Sequence, residues 1–242
     1  MKRGLLAGCL LICITSTAAA NTTTSVSLRV YGPGGPHHVI KECADLFQKE
    51  RNIEVKIIKA LPYTLGERLR TDGDIYYGGA EYMLENFISK NPDVLNLSSI
   101  TTLHPRRIGI IVRKGNPHNI KEIKDLYHEE IDILDVKLEN MRHFHTPFEE
   151  SVNNIRHFEF TGQQGFNAWL KSPEIDAWIT YKSWHIKLEE QSEFVALQGD
   201  GALRFIPIAL TQRTTYPNEA NEFIAFLQSD EARAIFSDHG WE

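Results

Sequence analysis

Cysteine is scarce in this chain, with three among 242 residues. Two of them, Cys9 and Cys13, fall within the first twenty positions. Cys43 alone stands beyond, so no intramolecular disulfide and no disulfide-linked partner is expected. A Cys-rich zinc site is excluded on the same count. Long apolar runs are also missing. The stretch Leu5 to Ile14 is too short to span a bilayer, which takes about 20 apolar residues. Positive charge is in deficit: 26 Lys and Arg stand against 32 Asp and Glu, a net of −6. Nucleic-acid binding needs a basic face, so no nucleic-acid partner is expected.

Catalytic signatures are absent as well. There is no G-x-S-x-G elbow, no H-E-x-x-H, no G-x-x-x-x-G-K-[ST] and no G-x-G-x-x-G. Glu149 and Glu150 are adjacent acids, which point apart on a helix. No nucleophile–base pair can be assembled, so neither an enzyme nor a cofactor is expected. Ten histidines are scattered, with His143-x-His145 the tightest non-adjacent pair, and no metal site is expected from them.

What remains is the composition of an ordinary globular protein, 42% hydrophobic and 24% charged. Lys2 and Arg3, the apolar run and Ala18-Ala19-Ala20 read as a secretory signal over residues 1–20, which predicts export to the periplasm. Leu6-Ala7-Gly8-Cys9 has the letters of a lipidation box. The apolar run continues past Cys9, which argues against it. Cys43 sits with Ile40, Ala44 and Phe47 at helical spacing and reads as a small core residue.

Hydrophobic periodicity then alternates between strand and helix. Strands are predicted over Val26–Tyr31, Ile53–Ile58, Asp74–Tyr77, Arg107–Arg113, Ile131–Val136, Ile175–Thr180, Phe194–Leu197 and Leu203–Leu210. Helices are predicted from Val39 to near Asn52, and over Leu65–Leu69, Ala80–Ile88, Gly162–Leu170, Lys182–Glu190, Pro217–Leu227 and Asp230–Ser237. A further helix is expected to start at Ile120–Leu126. That alternation predicts an α/β fold in two lobes, with parallel-rich sheets, flanking helices and an inter-lobe cleft. The expected division is 26–104 for lobe 1, 105–200 for lobe 2, and 201–242 returning to lobe 1.

Tyr31-Gly32-Pro33-Gly34-Gly35-Pro36-His37-His38 is a strand end, a glycine-rich turn and a helix start. Such a start offers free N–H groups and partial positive charge to an anion. The same residues also suit an empty tight turn. His37 stands close enough to the helix start to contact a ligand. Tyr77-Gly78-Gly79 repeats the arrangement, and two such turns would face one crevice. Trp169, Trp178 and Trp184 read mostly as core or cleft wall.

These motifs resemble the type II periplasmic solute-binding proteins of ABC transporters. The resemblance is closest to the accessory colonization factor AcfC group, a relative of the sulfate- and molybdate-binding proteins. It rests on Val30 to Pro36, Gly73 to Gly79, Pro105-Arg106-Arg107 with Val112 to Pro117, Asp176 to Tyr181, and the helices within Phe223 to Phe236. It implies a protein that captures a small anion, a sulfate-like oxyanion or a small carboxylate, and delivers it to an ABC permease. The implied ligand residues are Gly34, Gly35, Tyr77, Gly78, Gly79, Thr146 and Tyr181, with Arg106 or Arg107 adding charge; of the two, Arg107 is the one carried into the site. The hydroxyl pair that molybdate binders place at the first turn is replaced by Pro33-Gly34-Gly35. The segment Lys137 to Thr146 carries no glycine where a glycine-rich turn is expected. That departure motivates an alternative, an interaction or colonization factor that keeps the fold without transport. A sensor feeding a chemoreceptor is a further alternative.

Overall fold

The structure is a computed structural model and describes residues 26–144, 154–199 and 201–242. The expected signal segment 1–20, His145, Thr146 and the Glu149-Glu150 pair lie outside the described residues.

The first strand, β1 (Ser27–Gly32), leads through the Pro33–Pro36 turn into α1 (His37–Arg51). Asn52 closes that helix in the left-handed conformation (φ 56°). Then follow β2 (Glu54–Lys59), α2 (Pro62–Asp72), β3 (Ile75–Tyr77) and α3 (Glu81–Lys90). Pro62 opens α2 at a position that needs no N–H. A 13-residue strand, β4 (Thr101–Arg113), comes next. It is followed by β5 (Ile133–Val136), β6 (Ile155–Glu159), α4 (Gly162–Lys171), β7 (Ala177–Tyr181), α5 (Lys182–Ile186) and β8 (Ser192–Ala196). The chain closes with β9 (Leu203–Leu210), α6 (Pro217–Leu227) and α7 (Asp230–Asp238).

The strands form one path, β2-β1-β3-β9-β4-β7-β5-β6, with β8 also on β4. Pairing is parallel at the two ends, where β1 joins β2 and β3, and β5 joins β6 and β7. It is antiparallel through the middle, wherever β4 or β9 takes part. The sheet is therefore mixed, and β4 is its shared spine. The first part of β4 pairs with β9, and Ile108–Val112 pair with β7. A register shift between Thr102 and Pro105 marks the bend within the first part.

Apolar side chains gather on both sides of this spine. One cluster joins β1, α1, β9, α6 and α7, with Phe47 5.2 Å from Phe223 and 5.4 Å from Phe226. Cys43 is fully buried in it, and burial pushes its thiol up to about 12. A second cluster joins β4, β5, β7 and α4 around Trp169 and Trp178. A third packs α2 and α3 under β3, where Tyr76 stacks on Phe87 at 4.7 Å.

Two segments differ from the expected periodicity. Ile123–Tyr127 is a short 3-10 turn in place of a helix, and α5 stops at Ile186 in place of Glu190. One strand, β6, was not expected. It is an edge strand with Arg156 and Phe158 turned outward, so its apolar content is too low to read as a strand.

Candidate functional site

A cavity of ≈ 290 Å³ opens between the helices on the two sides of the spine. One wall comes from the turn after β1 (Pro33, Gly34, Gly35), His38 of α1, Lys59 at the end of β2, and Gly79, Tyr82 and Met83 around the start of α3. The opposite wall comes from Leu138 and Glu139 after β5, Thr161, Gly162 and Gln163 at the start of α4, and Tyr181, Trp184 and Lys187. Arg106 rises between them from β4.

Two long helices thus direct their N-terminal ends at one space. No side chain caps α1. At α4, Thr161 accepts a hydrogen bond from the Gln164 N–H, and Gln164 reciprocates to the Thr161 N–H. Helix N-termini carry partial positive charge, and Lys59, Arg106 and Lys187 add three cations. Burial lowers the Lys187 ammonium, which lies 4.7 Å from the Trp184 ring.

Arg106 is the most enclosed of these cations, with only 5% of its surface exposed. Its Nη2 donates to the Gly79 carbonyl at 2.6 Å, and its guanidinium lies 3.4 Å from the Tyr181 ring centre. Its buried Nε has no hydrogen-bond partner among the described residues. A buried guanidinium donor without a partner is costly. Gly35 leaves the room for it: a Cβ there would stand 3.3 Å from Nη1 of Arg106.

Glu139 is the acid on the wall. Thr180 Oγ1 donates to its Oε2 and Trp184 Nε1 to its Oε1, both at 2.6 Å. Burial pushes its carboxyl up to about 7, against the opposing pull of those hydrogen bonds and of Arg106. The walls also touch directly, since Tyr82 Oη donates to the Leu138 carbonyl at 2.8 Å.

The cavity brings together four of the expected site residues: Gly34, Gly35, Gly79 and Tyr181. Tyr77 and Gly78 stand behind the wall. Tyr77 Oη donates to the Pro33 carbonyl at 3.1 Å and so props the first turn. The Gly78 N–H is spent on the Pro207 carbonyl at 2.8 Å. His37 is off the wall, and its neighbour His38 is on it. Burial and nearby Lys59 lower the His37 imidazole to about 4, so it stays neutral at pH 7. Arg107 faces away from the cavity and binds Glu242 through two bonds of 2.6 and 2.7 Å. Consecutive strand residues point to opposite faces, so Arg106 inside places Arg107 outside. Thr146 lies outside the described residues.

Sequence reasoning did not single out Lys59, Tyr82, Glu139, Thr161 or Lys187. Thr161-Gly162-Gln163-Gln164 carried a legible signal, a capping box ahead of an amphipathic helix. Glu139 carried none, because an acid after a strand reads as surface. Trp169 and Trp178 are fully buried core, and Trp184 forms cleft wall. Among the described residues no group of three or more His, Cys, Asp or Glu is placed to hold a metal ion, and no helix is long and apolar enough to cross a membrane.

Known structures share this architecture. Peb3 of Campylobacter jejuni superposes with a TM-score of 0.73 at 27% identity, over 89% of this chain and 99% of that one. PEB3 has also been solved with L-phospholactate bound. The sulfate-binding protein SubI of Mycobacterium tuberculosis has the same fold, with a TM-score of 0.69 at 15% identity, over 89% and 86% of the two chains. A substrate-binding domain of a putative molybdenum ABC transporter from Clostridium difficile gives 0.68 at 13%, over 90% and 99%. No curated protein sequence matches the chain. The fold is that of the periplasmic binding proteins. Residues 28–242 match the bacterial extracellular solute-binding protein family, and the chain belongs to that family.

Proposed function

We propose that this protein captures one small anion in the cleft and delivers it, chemically unchanged, to an ABC transporter in the periplasm. The observation that carries this reading is Arg106, a nearly buried guanidinium with an unpartnered Nε at the meeting point of both walls. Lys59, Lys187 and the starts of α1 and α4 supply further positive potential from both sides. The L-phospholactate held by PEB3 supports an anion that carries both a phosphoryl and a carboxylate group. The proposed contacts are Gly34, Gly35, Lys59, Gly79, Arg106, Thr161, Tyr181 and Lys187. Residues 26–104 and 201–242 form one lobe in this reading, and 105–200 the other. A ligand touching both lobes favours the closed arrangement, since only differential contacts shift such an equilibrium.

Thermal unfolding with sulfate, phosphate, molybdate, L-phospholactate and simple carboxylates tests the reading. A ligand of the native state at a hundredfold excess over its Kd stabilises by about 2.7 kcal/mol. A clear upward shift with one of these anions is expected, and no shift with any of them would contradict it. The second reading, an interaction factor without transport, draws on the outward aromatic side chains Tyr63, Phe158 and Phe160, which are 76%, 60% and 41% exposed. It predicts a specific protein partner lost on replacing those three residues, with no anion bound.

A further inference from the structure

Glu139 stands out because an acid on the wall of an anion cavity works against the cations around it. It is fixed from two sides by Thr180 of β7 and Trp184 of α5. The first turn of α4 covers it, since a Cβ on Gly162 would come within 2.7 Å of Oε1. From β4, Arg106 acts on its charge. Tyr82 of α3 and Tyr181 of β7 are the phenols facing it, and burial raises both, so both stay neutral at physiological pH. His38 and Lys187 share the cavity wall, and desolvation, with Lys187 and Lys59 nearby, lowers the His38 imidazole.

A carboxylate offers about four lone-pair positions and no donor. Thr180 and Trp184, with the Trp178 indole also pulling on its charge, still leave acceptor capacity on the carboxylate. A ligand oxygen beside Glu139 is therefore tolerated only if a proton lies between the two. We propose that Glu139 is a specificity-determining residue, and that the cavity holds its anion together with one proton shared between Glu139 and a ligand oxygen. This inference rests on the anion-capture reading. An anion that carries a proton, such as hydrogenphosphate, brings it along. An anion without one, such as sulfate, binds only with Glu139 protonated and so takes one proton from solution. Burial already holds the Glu139 carboxyl up at about 7, so this uptake falls in the physiological range.

Phosphate and sulfate are matched probes, equal in shape and charge at pH 8 and different by one proton. Titration of the full chain at pH 8 is expected to give phosphate the tighter binding by about tenfold or more, the scale of a hydrogen bond to a charged group. The sulfate affinity is expected to rise as pH falls to 6. At pH 8, where free Glu139 is ionised, heats measured in two buffers of different ionisation enthalpy should show about one proton taken up per sulfate bound, and this uptake should shrink toward pH 6. In Glu139→Gln the preference is expected to shrink to within about threefold, and the pH dependence of sulfate binding to vanish. Equal binding of both ions at pH 8, or a preference that survives in Glu139→Gln, overturns the inference and leaves anion capture standing. Binding of neither ion overturns the inference, while anion capture falls only if L-phospholactate, molybdate and the carboxylates fail as well. The proton count needs only the wild-type chain, so a variant that folds poorly does not block the decision.

Discussion

Arg106 and Arg107 are adjacent residues of the same type with opposite assignments. Arg106 is enclosed and lacks a partner at Nε, whereas Arg107 is half-buried and paired with Glu242. Arg106→Ala should lower anion affinity by about tenfold or more, measured by titration calorimetry. Arg107→Ala should leave affinity unchanged and cost about 0–1 kcal/mol in denaturant unfolding, the worth of a partly solvated ion pair. The sequence shows the pair but not which member faces the cleft. That phase is set by the shift in β4 between Thr102 and Pro105, which only the pairing with β9 reveals. Glu139 gives a second test. Its carboxyl is raised from 4.5 to about 7, so in that window the folded chain holds a proton that the unfolded chain has shed. Its contribution to stability is complete below the lower value and is lost as pH rises through the upper one. The melting temperature of Glu139→Gln relative to wild type should therefore climb between pH 5 and 8. His37 acts in the opposite sense, its lowered imidazole costing stability as pH falls from 6.5 toward 4, and it cancels in this comparison.

Among the elements, those with a one-sided apolar face were legible. β9, α6 and α7 stand at or within one residue of where periodicity places them, because Phe223, Leu227, Ala232 and Phe236 mark a single buried stripe. The same holds for α4, whose capping box fixes its start. Thr161→Ala should cost about 1 kcal/mol in thermal or denaturant unfolding through loss of that cap. A larger loss of anion affinity than Arg107→Ala causes would place the α4 start at the ligand. The first part of β4 and the strand β6 were not legible. His104, Pro105 and Arg106 interrupt the apolar pattern in one, and β6 alternates at a solvent-facing edge. The Lys137 to Glu139 turn is a 3-10 turn closed by Asn140 at φ 54°, so asparagine takes the left-handed position at the close of the turn. The wall there lacks glycine and still lines the cavity through Leu138 and Glu139.

For the whole molecule, the cleft depends on a chain that crosses its own spine. β4 and β9 tie together two helical layers that would otherwise be separate, and the polar groups of the cavity come from both sides and, through Arg106, from β4 itself. The direct bridge from Tyr82 to Leu138 holds the walls together in the structure described. The alternation of strands and helices made this two-sided plan legible in the sequence, and the turns at Gly34-Gly35 and Gly79 marked one side of the cavity. On the opposite side only Tyr181 was marked, because Glu139, Trp184 and Lys187 meet it only through the folding of β5 and α5 against β7. In the proposed function the buried charge of Arg106 receives the anion. Titration calorimetry of the wild-type chain and Arg106→Ala with whichever anion raises the melting temperature most tests it directly. One anion per chain is expected for the wild type, with an affinity lower by about tenfold or more for the variant. Equal affinity in the two proteins would contradict it.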